Sequence, residues 1–151
     1  MARVYVASSW RNKYQPEVVK AIREAGHEAY DFREPRPGDK GFGWSEIHPE
    51  WLKWTPEQFI QALKNPIAER GFSNDKEGLE WCTHCLLVLP SGRSAHLEAG
   101  WAIGQHKPTA VYMPELPEPE LMYKLFETSL DPSPYFTRVS EVNEWLKSWE
   151  D

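Results

Sequence analysis

Apolar positions along this chain fall into short dense runs separated by stretches of helical period. Arg3-Val4-Tyr5-Val6-Ala7 is β-branched and aromatic and predicts a first strand. Val18, Val19, Ile22 and Ala25 recur at helical spacing, with Pro16 in the first turn and Gly26 at the end, and predict a helix. Glu28-Ala29-Tyr30-Asp31-Phe32 predicts a second strand, so the chain opens as a parallel βαβ unit. Thr55-Pro56-Glu57-Gln58 starts another helix, with threonine as cap and proline at its first position, and Phe59, Ile60 and Leu63 as its buried face. Gly71-Phe72-Ser73-Asn74 predicts a turn, and Asp75 to Cys82 a short helix. The continuous apolar run Cys85-Leu86-Leu87-Val88-Leu89 predicts a strand covered on both faces. A helix from Ser94 to Gly104, a strand from Thr109 to Met113, a helix from Glu120 to Glu127 and a strand around Phe136 to Val139 follow. A last helix, capped by Ser140, carries Val142, Trp145, Leu146 and Trp149 on one stripe, and the residues ending Glu150-Asp151 are expected to fray. Strand–helix alternation throughout predicts an α/β fold: a single-domain, flavodoxin-like or Rossmann-like three-layer sandwich around a parallel sheet of about five strands.

The alternation breaks once. Residues 33–54 hold Pro35, Pro37, Gly38, Gly41, Gly43 and Pro49 among Phe42, Trp44, Trp51 and Trp54. The aromatics argue against disorder, so this Trp/Pro-rich insertion reads either as a lid or pocket wall, or as an ordered segment that only packs. The domain expected is the whole of 1–151 with this insertion inside it. Its net charge of −6 argues against nucleic acid or an anionic membrane as partner. The chain enters its first strand directly and has no apolar run of membrane-spanning length, so a cytoplasmic location is expected. Cys82 and Cys85 flank His84, but without a second Cys/His pair they read as two small, half-buried thiols. No metal and no cofactor are expected.

In a parallel sheet the loops after successive strands share one edge, and ligands bind there. That edge would gather Ser8, Ser9, Trp10, Arg11 and Asn12, the insertion with Trp44, and Ser91, Gly92, Arg93 and Ser94. Ser94 is placed to cap the helix it precedes, and Glu98 to fall at the end of that helix's first turn, where the dipole favours a phosphate or an ionised carboxylate. Gly92 would allow close backbone approach or a positive φ. Arg11 or Arg93 can pair bidentately with a phosphate, and Trp10 or Trp44 can stack on a planar base. No dinucleotide or P-loop fingerprint is present. A triad of Ser94, His96 and Asp75 fails on spacing, because residues two apart on a helix point to different sides. His96 remains a candidate donor near Glu98, or a plain helix-face histidine.

The strand ending Val-Ala-Ser-Ser, then Asp75 ahead of an apolar strand, then Glu98-Ala99-Gly100-Trp101-Ala102 and Gly104-Gln105-His106-Lys107-Pro108, resembles the nucleoside 2-deoxyribosyltransferase family. The resemblance implies cleavage of an N-glycosidic bond in a nucleoside or nucleoside monophosphate, through Glu98 as nucleophile and Asp75 as the acid that protonates the leaving base. It also implies a homo-oligomer, a dimer or higher, in which a neighbour completes each site, with Tyr123 as the candidate donor. The family's transferases carry a tyrosine after the first strand and an acidic residue in the loop before the glutamate. Here those regions read Ser9-Trp10-Arg11 and Ser91-Gly92-Arg93-Ser94, and Ser9-x-Arg11 is closer to the branch that hydrolyses nucleoside monophosphates. Two other readings fit the residues: a TIR-like NADase that uses one glutamate, and a nucleotide-binding sensor that does no chemistry.

Overall fold

A computed structural model describes residues 1–128 and 133–150, so Asp151, at the end expected to fray, lies outside the described residues. The chain divides into two compact units, Met1–Asp31 with Trp81–Asp151, and Phe32–Glu80. The second is longer than the insertion expected from sequence, because it takes in two helices as well.

The first unit is built on β1 (Arg3–Ala7), β2 (Glu28–Asp31), β3 (His84–Val88), β4 (Thr109–Tyr112) and the short β5 (Tyr135–Phe136). Among the described residues these form one all-parallel sheet in the order β2-β1-β3-β4-β5. The central strands are buried on both faces, as their unbroken apolar runs require. Helices α1 (Gln15–Glu24) and α5 (Val139–Ser148) cover one face, where Val18, Ile22, Val142, Trp145 and Leu146 pack against Val4, Val6, Leu86 and Val88. Helix α4 (Arg93–Gly104) covers the other face with Ala95, Ala99 and Ala102, all buried. Those small side chains at helical spacing let the helix lie close to the sheet. Gly26, at φ +91, closes α1 in the left-handed region that favours glycine.

At the amino-terminal edge of the sheet, Thr83 and Arg3 exchange hydrogen bonds: Arg3 N donates to Thr83 Oγ1 at 2.9 Å, and Thr83 N to Arg3 O at 2.8 Å. His84 is buried there beneath the edges of Trp145 and Trp149. Burial, with His27 nearby, holds its pKa down at about 4. Cys82 and Cys85 are buried thiols.

The second unit contains α2 (Pro56–Ala62) and most of α3 (Pro66–Trp81). Thr55 and Gln58 form the expected capping box on α2, with Gln58 N donating to Thr55 Oγ1 at 3.2 Å and Thr55 N to Gln58 Oε1 at 2.9 Å. The turn expected at 71–74 is absent: α3 runs unbroken through it. Gly71 suits a turn by propensity, but a Cβ there would lie 2.9 Å from that of Phe42, so the glycine serves packing inside a helix. Trp44 is the hub of the unit, edge-on to Phe42, Trp54 and Phe59 at 4.8, 5.8 and 5.7 Å between ring centres.

Two further boundaries differ from expectation. Residues 121–128 form a kinked 3-10 segment rather than an α-helix. Helix α5 begins at Val139, and its start is held by Glu141 reaching back to Arg138 N at 3.0 Å and Thr137 N at 3.1 Å, not by Ser140.

Candidate active site

In this strand order the connections after β1 and β3 leave in opposite directions, which opens a crevice between them at the carboxyl edge of the sheet. Two side chains of the β1–α1 loop close its floor. Ser8 is buried and donates from Oγ to Val88 O at 2.9 Å. Asn12, 2% exposed, donates from Nδ2 to Val88 O at 3.2 Å and to Pro90 O at 2.9 Å. Its Oδ1 accepts from Tyr14 N at 2.7 Å and Gln15 N at 2.8 Å, so the same residue starts α1. One asparagine therefore ties the loop after β1 to the loop after β3. Ser9, half-buried, accepts at its carbonyl from Asn12 N, while Trp10 and Arg11 are exposed.

The loop after β3 holds the cis bond Leu89-Pro90 and leads into α4 through Gly92, whose backbone is extended at φ −94 and ψ −159. Gly92 is thus at the N-cap position; of the two uses expected of it, close backbone approach or a positive φ, it does not take the second, and a Cβ there would meet open space. Ser94 is not the cap: it is the second helical residue, and no side chain caps α4. The helix N-terminus is left with N–H groups toward the crevice loop, flanked by Ser91, Arg93 and Ser94. His96 braces this turn. Its Nδ1 lies 2.8 Å from Gly92 O and its Nε2 2.9 Å from the Tyr123 hydroxyl, whose ring stacks on it. A carbonyl can only accept, so Nδ1 donates to Gly92 O, and in the neutral imidazole Tyr123 donates to Nε2. Tyr123 is engaged in this way by its own chain, with burial pushing its phenol pKa up.

Because α4 starts at Arg93, Glu98 is its sixth residue and stands in the second turn, beyond the first-turn reach of the helix dipole. What holds Glu98 instead is the strand beneath it. Tyr5 lies in the middle of β1, wholly buried, and its hydroxyl donates to Glu98 Oε2 at 2.5 Å. Its ring stacks on Tyr30 of β2, 5.0 Å between centres and 10° from parallel. Sequence reasoning missed Tyr5 by looking for a tyrosine after the strand. The signal was there, because a tyrosine in a strand buried on both faces needs a partner for its hydroxyl.

Of the other expected site residues, Trp44 and Asp75 belong to the second unit. Trp44 is engaged in the aromatic hub, and Asp75 is half-buried on α3, one turn before the buried Leu79. Among the described residues, no group of three or more His, Cys, Asp or Glu side chains is arranged to hold a metal. No helix among them is long and apolar enough to cross a membrane.

These features define a class: a doubly wound parallel α/β protein of flavodoxin-like strand order, with a topological switch point between β1 and β3. Among solved structures, the chain is similar to a 2-deoxyribosyltransferase from Bacillus psychrosaccharolyticus, with 22% identity and a TM-score of 0.59 over 95% of this chain and 92% of that one. It is also similar to the CMP N-glycosidase of Clostridium botulinum, with 15% identity and a TM-score of 0.51 over 98% and 99% of the two chains. No sequence-family profile and no curated protein sequence matches it. At these identities the likeness is one of fold.

Proposed function

We propose that this protein is an enzyme that cleaves the N-glycosidic bond of a nucleoside or nucleoside monophosphate, by hydrolysis or by transfer to another base. The observation that carries the reading is the carboxylate of Glu98, held by the buried Tyr5 hydroxyl at the switch-point crevice. The fold shared with a 2-deoxyribosyltransferase and a CMP N-glycosidase supports it.

A carboxylate oxygen of Glu98 attacks the anomeric carbon as the bond from that carbon to the base nitrogen breaks, giving a glycosyl ester. Asp75 gives its proton to the departing base. Water, or an acceptor base, then attacks the same carbon and frees Glu98, and Asp75 takes back a proton. Tyr5 supplies a hydrogen bond that favours the ionised carboxylate and fixes its orientation. The uncapped start of α4, with Ser91, Arg93 and Ser94, suits a 5′-phosphate or sugar hydroxyls. Trp10 offers a flat face for the base. The homo-oligomer implied by the sequence resemblance belongs to the same reading, and sedimentation measures it.

The test is base release from a panel of nucleosides, their 5′-monophosphates and NAD, with and without an acceptor base. Glu98→Ala is expected to lower the rate at least about a thousandfold, as loss of a nucleophile does. Turnover that survives this change refutes the assignment. Release from NAD alone selects the NADase reading, and product formed only with acceptor selects transfer.

A further inference from the structure

We propose that Tyr30 is a positioning residue for Glu98, acting through Tyr5; the inference rests on the glycosidase reading for its kinetic consequence but not for its geometry. Tyr5 and Tyr30 are register partners on the parallel strands β1 and β2, so their side chains leave the sheet on the same face. Their rings stand 5.0 Å apart and 10° from parallel, close to the spacing of the strands themselves. The hydroxyl oxygen lies on the axis about which a phenol ring turns, but its O–H bond prefers the plane of the ring, so a parallel ring alongside, by restricting that turn, fixes the plane in which the O–H points. The Tyr5 hydroxyl is thereby aimed at Glu98 Oε2.

The pair is asymmetric. Tyr5 is wholly buried, whereas Tyr30 is half-buried on the edge strand of the sheet. Tyr30 is therefore the outer plate, and its ring is the part that meets Tyr5. Chain order hides this arrangement, because residues 5 and 30 meet only through strand pairing.

The test compares Tyr30→Phe, Tyr30→Leu, Tyr30→Thr and Tyr5→Phe, alone and with Tyr30→Leu combined with Tyr5→Phe. Two readouts are used: kcat and KM for base release, and the titration of the Glu98 carboxyl by carbon NMR of glutamate-labelled protein. Tyr30→Phe is expected to match the parent in both. Tyr30→Leu is expected to lower kcat roughly three- to tenfold, the size of an aromatic pair's contribution, with KM changed less than twofold. It also moves the Glu98 titration to higher pH, in the direction of Tyr5→Phe, because a weaker donor favours the carboxylate less. Tyr30→Thr, which keeps strand propensity, does the same if Tyr30→Leu fails to fold. In the Tyr5→Phe background Tyr30→Leu adds nothing, since the hydroxyl it aims is gone. An unmoved Glu98 titration in folded Tyr30→Leu or Tyr30→Thr overturns the inference, as does an undiminished effect in the Tyr5→Phe background. If the parent releases no base from any nucleotide, the glycosidase reading fails while the titration still decides the role of Tyr30.

Discussion

Asn12→Ala offers a measure of how firmly the crevice is built. The residue is 2% exposed, and the hydrogen bonds of its side chain include two given and two received. Truncation leaves Val88 O with its bond from Ser8 but takes this partner from Pro90 O, Tyr14 N and Gln15 N. Pro90 and Tyr14 are half-buried, so water replaces part of what they lose, whereas Gln15 is wholly buried. At about 1 kcal/mol for each group, and more for the N–H that water cannot reach, the expected loss is about 3 kcal/mol. For a chain of this size that lowers Tm by about 6–12 °C. Urea unfolding measures it, as a fall in midpoint with unchanged slope. Asn12→Asp separates the two halves of the clamp: it keeps acceptors for Tyr14 N and Gln15 N but sets a carboxylate against two carbonyls. The crevice loop is released and KM for the proposed nucleotide rises, while α1 keeps its start. A loss below 1 kcal/mol in Asn12→Ala would refute the clamp.

Four other perturbations follow from the same structure. His84 has its pKa held at about 4 when folded and near 6.5 when unfolded, so it destabilises the fold as pH drops through that interval. Stability should fall by about 2 kcal/mol between pH 7 and pH 5, flatten below about 4, and lose this dependence in His84→Phe, as urea midpoints across pH would record. Gly71→Ala should destabilise by about 1–3 kcal/mol despite its better helix propensity, because the new Cβ collides with Phe42. Gly100→Ala, where nothing lies within 4 Å, should stabilise by about 0.5–1 kcal/mol, and thermal unfolding of the pair checks the contrast. Ser94→Ala should change stability by less than about 0.5 kcal/mol, since Ser94 caps nothing; a loss near 1 kcal/mol would restore it as the cap.

The sheet was legible because its strands are written as unbroken apolar runs, and the same density that buries them marks their ends. Glu98 was legible as the acid that follows such a run. Its support was not. Cap preference favours a serine, so the helix was set to begin after Ser94, whereas Gly92, in extended backbone and with no side chain to cap, stands at that position. That shift of two residues exchanges a dipole argument for a hydroxyl from β1. Tyr5 reads as one more apolar residue, and Asn12 as one more polar loop residue, until strand pairing shows what each reaches. The helix through Gly71-Phe72-Ser73-Asn74 runs against local propensity because a contact distant in sequence, with Phe42, decides it.

Pairing of β3 with β1 rather than with β2 has a bearing on how such a protein can change. The segment that leaves β2 at Asp31 need not return to β2, so its length sets no register in the sheet. The cost of closing a longer excursion grows only with the logarithm of its length. The length of chain between Asp31 and Trp81 is thus free to vary without shifting the sheet's register, even though that stretch carries Asp75, the proposed acid. A longer or shorter excursion, joined at the same two points, would keep β1 paired with β2 on one side and β3 on the other.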